Sequence, residues 1–421
     1  MIQLNINIEK ECSLQRQRYL QVIETIRDQT AKVFTPAMVD KCEKVFLTGC
    51  GDSLFACQGA RMFFQNVTGM DIEPVEALEF SRYLVRHAKP NAILLAVSNS
   101  GRVSRTIEAV LRARKKGLTS VALTGYADRD LALSADARLV AALPNIRSTM
   151  DDLSNRVEQE EKDEMFANLF RPGLISKYAQ RLGIGSGLDF LLFMLGAYMN
   201  SLLLLYCSAI HIGLVRGHLT QSQADEHYSE ILNGVEVMIR TAAFNFDRIY
   251  VLADRFREKN AFLYLGTGPA FAAASLSAAK LFEQPHLNGV AQNLEEWAHL
   301  QFFFTRPDGV PIFVLVPPGF SRDRAIEQIK GMQCLGGTVV AICSRRDAEI
   351  QSLVPDTLLV QGDLPEEYVP WVYGVTGQLF AIIMMDIRGQ PPIPPPFSFK
   401  QMMQVNFSQI YSSKIRPDLE E

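Results

Sequence analysis

An internal repeat constrains this fold more than any other feature. Residues 44–64, KVFLTGCGDSLFACQGARMFF, are matched by residues 260–282, NAFLYLGTGPAFAAASLSAAKLF. Each segment reads as a short apolar strand, a Gly-rich turn and a helix. Gly51 falls opposite Gly268, an offset of 217 residues. The following segments, AILLAVSNSGRVSRTIEAVLRARKKGLTSVALTG and PIFVLVPPGFSRDRAIEQIKGMQCLGGTVVAICS, keep that offset nearly constant: Gly101 with Gly319 at 218, Glu108 with Glu327 at 219. Two copies of one βαβ-type unit follow. Strands alternating with helices predict an α/β fold with parallel sheets covered by helices on both faces. In such sheets ligands sit at the carboxyl ends of the strands.

Around the repeat the chain divides into four parts. Residues 1–43 read as an amphipathic helical arm with Leu20, Val22, Ile23 and Ile26 on an apolar face. The first domain is expected over 44–245, with a charged insert near 145–185, and the second over 246–400. The Pro-rich GQPPIPPPFSF is a break before a tail, 401–421. Phe190 to Cys207, FLLFMLGAYMNSLLLLYC, is long enough to span a membrane. Asn200 and Ser201 interrupt it, which favours a helix buried on all sides. QADEHYSEILNGVEVMIRTA then reads as an amphipathic helix.

The 421 residues are 48% hydrophobic and 21% charged, with a net charge of −4, so neither nucleic acid nor an acidic membrane is an expected partner. Seven cysteines, an odd number with no metal-type CxxC pair, imply reduced thiols and a cytoplasmic protein without a structural metal. The opening MIQLNINIEKECS is too acidic and broken for a signal peptide.

The two copies differ in their polar groups. Ser98, Asn99, Ser100 and Gly101 directly follow the strand AILLAV. Hydroxyls, an amide and the free N–H groups of a following helix suit a phosphate dianion, and glycine lets the backbone approach. Ser53 could add a hydroxyl from the first Gly-rich turn. The second copy has Val316, Pro317 and Pro318 instead, and proline removes backbone donors. Conversely the second copy carries Lys280, Glu283, Glu296 and His299 within SLSAAKLFEQPHLNGVAQNLEEWAHLQFFF, in a mostly apolar setting. Asn66 stands where Glu283 has its match. A carboxylate and an imidazole near one pocket can share proton transfers at neutral pH. Pro285 should end the Glu283 helix, and Asn288-Gly289 should mark a turn before a helical NLEEWAHL. Taken singly these residues have ordinary readings: SxSG as a turn and cap, His299 as a satisfied core histidine, Glu283, Glu296 and Lys280 as solvated charges. Their joint occurrence in repeated units is what favours one phosphate site and one acid/base pair.

At these residues the chain resembles the SIS (sugar isomerase) family, and is most similar there to the isomerase half of glucosamine-6-phosphate synthases and to fructosamine 6-phosphate deglycases. The resemblance covers roughly 44–140 and 258–415. Ser98-Asn99-Ser100-Gly101 resembles the family's SxSG loop, Cys50-Gly51-Asp52-Ser53 its CGTS turn, and Ala77-Leu78-Glu79-Phe80 its ASEF segment. Ala278 to Glu283 resembles its ALKLKE helix, and Leu294 to His299 the segment bearing its histidine, sixteen residues beyond the glutamate as in the family. The resemblance implies tandem SIS domains, each a three-layer αβα sandwich with a five-stranded parallel sheet. It implies that Gly51, Asp52, Ser53, Ser98, Asn99, Ser100, Gly101 and Arg102 hold the sugar phosphate. It makes Glu283 the base between C1 and C2, and His299 the ring-opening residue, contributed across a homodimer with shared active sites. Lys414 in SSKIRP resembles the family's tail lysine.

Three departures bear on substrate. Val103 replaces the loop's threonine, leaving Arg102 and Ser104 to compensate. Glu295 replaces a glycine, and the VASTK segment has no clear counterpart. With no glutamine amidotransferase segment in the sequence, glutamine-driven synthesis is not expected. The implied enzyme acts on a ketose or amino-sugar 6-phosphate, or on a glycated amine phosphate. It needs no metal or redox cofactor, because the substrate's carbonyl stabilises the carbanion, with Lys280 or Lys414 steadying charge on the oxygens. The alternative is a sensor that binds a sugar phosphate without turnover.

Overall fold

The computed structural model describes residues 7–141, 143, 187–389 and 399–418. The charged insert and most of the Pro-rich break lie outside these residues. Two five-stranded, wholly parallel sheets form. The first contains β1 (Lys44–Gly49), β2 (Asp71–Glu76), β3 (Ile93–Ser98), β4 (Thr119–Thr124) and β5 (Ala137–Val140), in the order β2-β1-β3-β4-β5. The second contains β6 (Ala261–Gly266), β7 (Asn288–Asn293), β8 (Ile312–Val316), β9 (Val339–Ser344) and β10 (Thr357–Val360), in the order β7-β6-β8-β9-β10. The topology is the same in both, as the repeat predicts. Every residue of the central strands β3, β8 and β9 is buried, which is why ILLAVS, IFVLV and VVAICS read as continuous apolar runs and not as alternations.

The repeat extends to backbone conformation. Gly51 and Gly268, each just before the helix that follows the first strand of its sheet, both take φ 55°, with ψ −131° and −135°. Only glycine adopts this region readily. Neither would bring a Cβ within 4 Å of another atom, so backbone strain alone selects glycine there.

The chain clusters into two compact units. Among the described residues, the first sheet's unit draws on 16–141, 143, 196–232 and 400–418; the second sheet's on 7–15, 187–195, 233–389 and 399. In the first, Phe63 from the helix Asp52–Thr68 stacks on Tyr206, ring centroids 4.2 Å apart. In the second, Tyr264 stacks on Phe313 at 4.7 Å, and Phe380 packs edge-on against Phe262 at 5.3 Å.

The long apolar run forms the helix Gly187–Val215. From Leu202 to Ile210 it is buried throughout. Residues 366–387 are a second stretch long and apolar enough to cross a membrane, and it too is buried inside the protein. The protein is expected to purify in solution without detergent; recovery only from membranes would overturn the internal placement of both stretches.

Two local expectations need correction. The arm is the helix Ile8–Val33, but its buried stripe runs through Cys12, Tyr19, Ile23, Ile26 and Thr30. Leu20 is exposed and Val22 half-buried, because each falls one position off that three-to-four spacing. Asn288-Gly289 is not a turn: it opens β7, with Gly289 in register with Phe262. A Cβ at Gly289 would run into the Ala278 backbone, so this glycine serves close packing of a helix over a strand.

Candidate functional site

In the first sheet the strand order reverses between β1 and β3, which are hydrogen-bonded neighbours. Their carboxyl ends carry the Cys50–Ser53 turn and the Ser98–Gly101 loop, at the switch point where parallel sheets receive ligands. The packing is close: a Cβ on Gly49 would meet both Ser53 Cβ and the Val97 carbonyl oxygen at 2.9 Å. Ser98, Asn99 and Ser100 are buried, and the hydroxyls of Ser98 and Ser100 lie 3.4 Å apart. The Arg102 N–H donates weakly to Ser100 Oγ at 3.4 Å. Gly101 takes φ 65°, and a Cβ there would press on Arg129 Cβ at 2.8 Å.

Val103 occupies the N-cap of the helix Ser104–Lys115 and makes no side-chain capping bond. Serine or threonine at an N-cap would consume a first-turn N–H; valine leaves those donors and the helix dipole for an anion. The departure from the usual loop sequence therefore costs a hydroxyl but not the anion-attracting end of the helix. Asn99 adds a further donor. Its Oδ1 accepts from Asn200 Nδ2 at 2.9 Å, which fixes the amide, while its buried Nδ2 has no partner among the described residues.

Asn200 holds the Asn99 amide in place, a contact that the sequence alone does not reveal. It sits fully buried on the long apolar helix. Its Nδ2 also donates to the Ala141 carbonyl at 2.8 Å, and its Oδ1 accepts the Leu143 N–H at 3.3 Å. The one signal in the sequence was a strong hydrogen-bonding side chain inside an otherwise apolar helix, which burial tolerates only when it is paired.

Cys50 is no nucleophile here. Burial, with the Glu76 carboxylate alongside, pushes its thiol up to about 12, so it stays protonated. Glu76 is occupied in capping the helix Ala77–Arg82 through the Leu78 and Glu79 N–H groups.

The second copy's loop has lost these donors for more than one reason. Pro317 and Pro318 have no N–H. In addition Glu366 lies against Gly319 and accepts the Phe320 N–H at 2.9 Å. A carboxylate of the chain itself thus engages the second loop.

Around the second sheet, Glu283 is the last residue of the helix Pro269–Glu283, and Gln284 caps it, just before Pro285. Lys280 Nζ donates to Glu283 Oε2 at 2.8 Å. The Lys280 side chain is only 4% exposed and the Glu283 side chain 52%. Lys280 is thus no solvated surface charge, whereas Glu283 is open to solvent and not in an apolar setting. His299 ends the short helix Glu296–His299, which Trp297 anchors by packing into the second core and donating to Thr305 Oγ1 at 2.9 Å. His299 is 65% exposed, and its Nε2 lies 3.7 Å from Glu295 Oε1. It is neither a core histidine nor, within the chain, an ion-pair partner of Glu283. Glu296 is half-buried beside it. Glu295 is itself gripped by Arg324 at 2.7 and 2.9 Å, and that hydrogen bond holds its carboxyl below the usual range.

Lys414 belongs to the tail, which joins the first sheet's unit. Its side chain is exposed, while its carbonyl oxygen accepts from Arg105 Nη2. The neighbouring Arg416 N–H donates to Glu108 Oε2 at 3.0 Å. Burial alone would push the Glu108 carboxyl up; hydrogen bonds from Arg82 and the Arg416 N–H, with the charge of Arg105, outweigh it and hold the carboxyl low. A carboxylate lowered on folding stabilises at pH values above its unfolded range and loses that contribution as pH falls through its folded value. Tail docking is therefore expected to persist through mildly acid pH and to fail only below the ordinary carboxylate range. Proteolysis of the tail across a pH series with an acid-active protease checks this, and release already near pH 6 would contradict it.

Comparison with known proteins agrees with this architecture. Residues 38–150 match the SIS domain family. Over 358 residues, 85% of this chain, the sequence is 21% identical to the glutamine–fructose-6-phosphate aminotransferase [isomerizing] of Thermotoga maritima, and it spans about half (51%) of that protein's length. The C-terminal domain of glucosamine-fructose-6-phosphate aminotransferase from Francisella tularensis superposes with a TM-score of 0.68 at 15% identity, over 91% of this chain and 97% of that one. A candidate phosphosugar isomerase from Salmonella typhimurium superposes at 0.63 and 18% identity, over 88% and 95%. With its repeated five-stranded sheets and its switch-point loop, the chain has the tandem SIS fold, carries a SIS domain over residues 38–150, and is similar along most of its length to the isomerase half of glutamine–fructose-6-phosphate aminotransferases.

Proposed function

We propose that the protein binds a ketose or amino-sugar 6-phosphate and moves a proton between C1 and C2, giving isomerisation or, from a glycated amine phosphate, release of the amine. The observation that carries this reading is the division of labour between the copies. The first loop keeps two buried hydroxyls, the spare Asn99 amide and an uncapped helix N-terminus. The second spends its Phe320 donor on Glu366. A phosphate dianion at Ser98–Arg102, with Gly51, Asp52 and Ser53 bordering it, would anchor the far end of an open-chain sugar. Glu283 would take the proton beside the carbonyl, and Lys280, held against it, would steady the charge that develops. His299, open to solvent, would serve a site in a second copy of the chain and help open the ring.

One observation favours a second reading. Within one chain His299 stands by Glu295 and not by Glu283, so its imidazole is not paired with the proposed base. A cytoplasmic sensor that binds the same ligand without turnover fits that arrangement. A thermal-shift screen of sugar phosphates and glycated amino-acid phosphates, followed by mass spectrometry of products, separates the two. New products support the enzyme; a stabilising ligand returned unchanged supports the sensor; no stabilisation by any phosphorylated sugar refutes both. Ser100→Ala is expected to weaken binding of the hit by about 1–2 kcal/mol, the scale of one hydrogen bond to a charged group. Unchanged calorimetric affinity for both Ser98→Ala and Ser100→Ala would remove the loop from the site.

A further inference from the structure

We propose that Glu108 is the positioning residue that holds the C-terminal segment, and with it Lys414, on the helix following the Ser98–Gly101 loop. Three residues at three-residue intervals take successive parts of the tail. The Arg102 guanidinium lies 5.3 Å from the centre of the Tyr411 ring. Arg105 Nη2 donates to Ser413 Oγ at 3.3 Å and to the Lys414 carbonyl oxygen. Glu108 Oε2 accepts the Arg416 N–H at 3.0 Å. Between these points Ile415 packs against the first sheet's core, and beyond them Lys115 pairs with Asp418 at 3.3 Å.

Glu108 is the centre of this arrangement. It is fully buried, and it orients the residues that orient the tail. Its Oε1 accepts from Arg82 Nε at 2.9 Å and, at the limit, from Ser81 Oγ at 3.5 Å. Its Oε2 takes Arg105 Nη1 as well as the Arg416 N–H. Removing one member of a buried charged cluster leaves the others unpaired. The matching residue of the second copy, Glu327, is exposed and pairs with Arg324 on its own helix. The two copies share the glutamate; only the first buries it and places a tail residue on it. Lys414 is held by its backbone, which leaves its ammonium free to reach a ligand from a fixed base.

The functional half of this inference rests on the proposed sugar-phosphate chemistry; the structural half does not. The test uses the full chain with Glu108→Gln, and Arg105→Ala in case the buried substitution impairs folding. Hydrogen exchange of peptides covering 411–418 reads the tail, and steady-state kinetics on the screened substrate reads its purpose. Tail exchange is expected to rise at least tenfold in both variants, with the amides of β1, β3 and β4 unchanged. The expected kinetic signature is a tenfold or greater fall in kcat with KM within about twofold, matching Lys414→Met. Unchanged tail protection in both variants overturns the proposal, and so does a released tail with unchanged kcat. Absence of turnover in the wild-type protein sinks the enzyme reading instead, and the clamp then stands or falls on exchange alone.

Discussion

Glu283→Gln and His299→Ala are each expected to lose roughly 10²–10⁴-fold in turnover, the range for a general acid or base, while a mixture of the two recovers about a quarter of wild-type activity. The recovery follows from geometry. Within one chain Glu283 is paired with Lys280, and His299 with Glu295. The strand β7 separates them, pinned to β6 in register from Asn288 to Asn293. Both side chains are more than half exposed, so a second copy can approach either. If sites are shared, a mixed dimer has one site with both native residues and one with neither. Random exchange makes about half the dimers mixed, each with one good site of two. Exchange is confirmed by native mass spectrometry before turnover is read. No recovery despite exchange would mean that the pair does not work across chains.

The second large effect is expected at Asn200. Asn200→Leu keeps the apolar character of the helix but removes one acceptor and both amide donors. Asn99 Oδ1, the Ala141 carbonyl and the Leu143 N–H then lose a partner in buried surroundings. Each such group costs about 1–3 kcal/mol, so roughly 3 kcal/mol or more of stability should go. The amide of Asn99 also loses its orientation, so affinity for a phosphorylated sugar should fall even where the variant stays folded. Urea denaturation and calorimetry measure the two separately. A variant of wild-type stability and affinity would show that the helix merely tolerates this asparagine.

Much of the fold was legible because the repeat and the apolar strand runs are properties of the sequence. Parallel central strands bury both faces, so ILLAVS and VVAICS declare themselves without long-range information. Gly51 and Gly268 were legible as turns because few other residues take that backbone conformation. Gly289 was misread because glycine also serves close packing, and the neighbour that requires it, Ala278, lies across a helix–strand interface invisible to local pattern. Leu20 was misread because apolar character does not say which helical stripe faces inward. Around the site, the Ser98–Gly101 loop followed from residue types at a strand end. Asn200, Glu108 and Glu366 did not, since each acts on a segment at least 46 residues away in the chain. Polar residues acquire such partners only when distant segments fold together.

The most direct test of the account is deuterium incorporation into fructose 6-phosphate and related ketose 6-phosphates incubated with the protein in D₂O, followed by NMR. Deuterium is expected at C1 with the wild-type protein and not with the Glu283→Gln variant, with calorimetry showing that the variant still binds the phosphate. Binding of these sugars by the wild-type protein without exchange at C1 or C2, or exchange that survives Glu283→Gln unchanged, would contradict it.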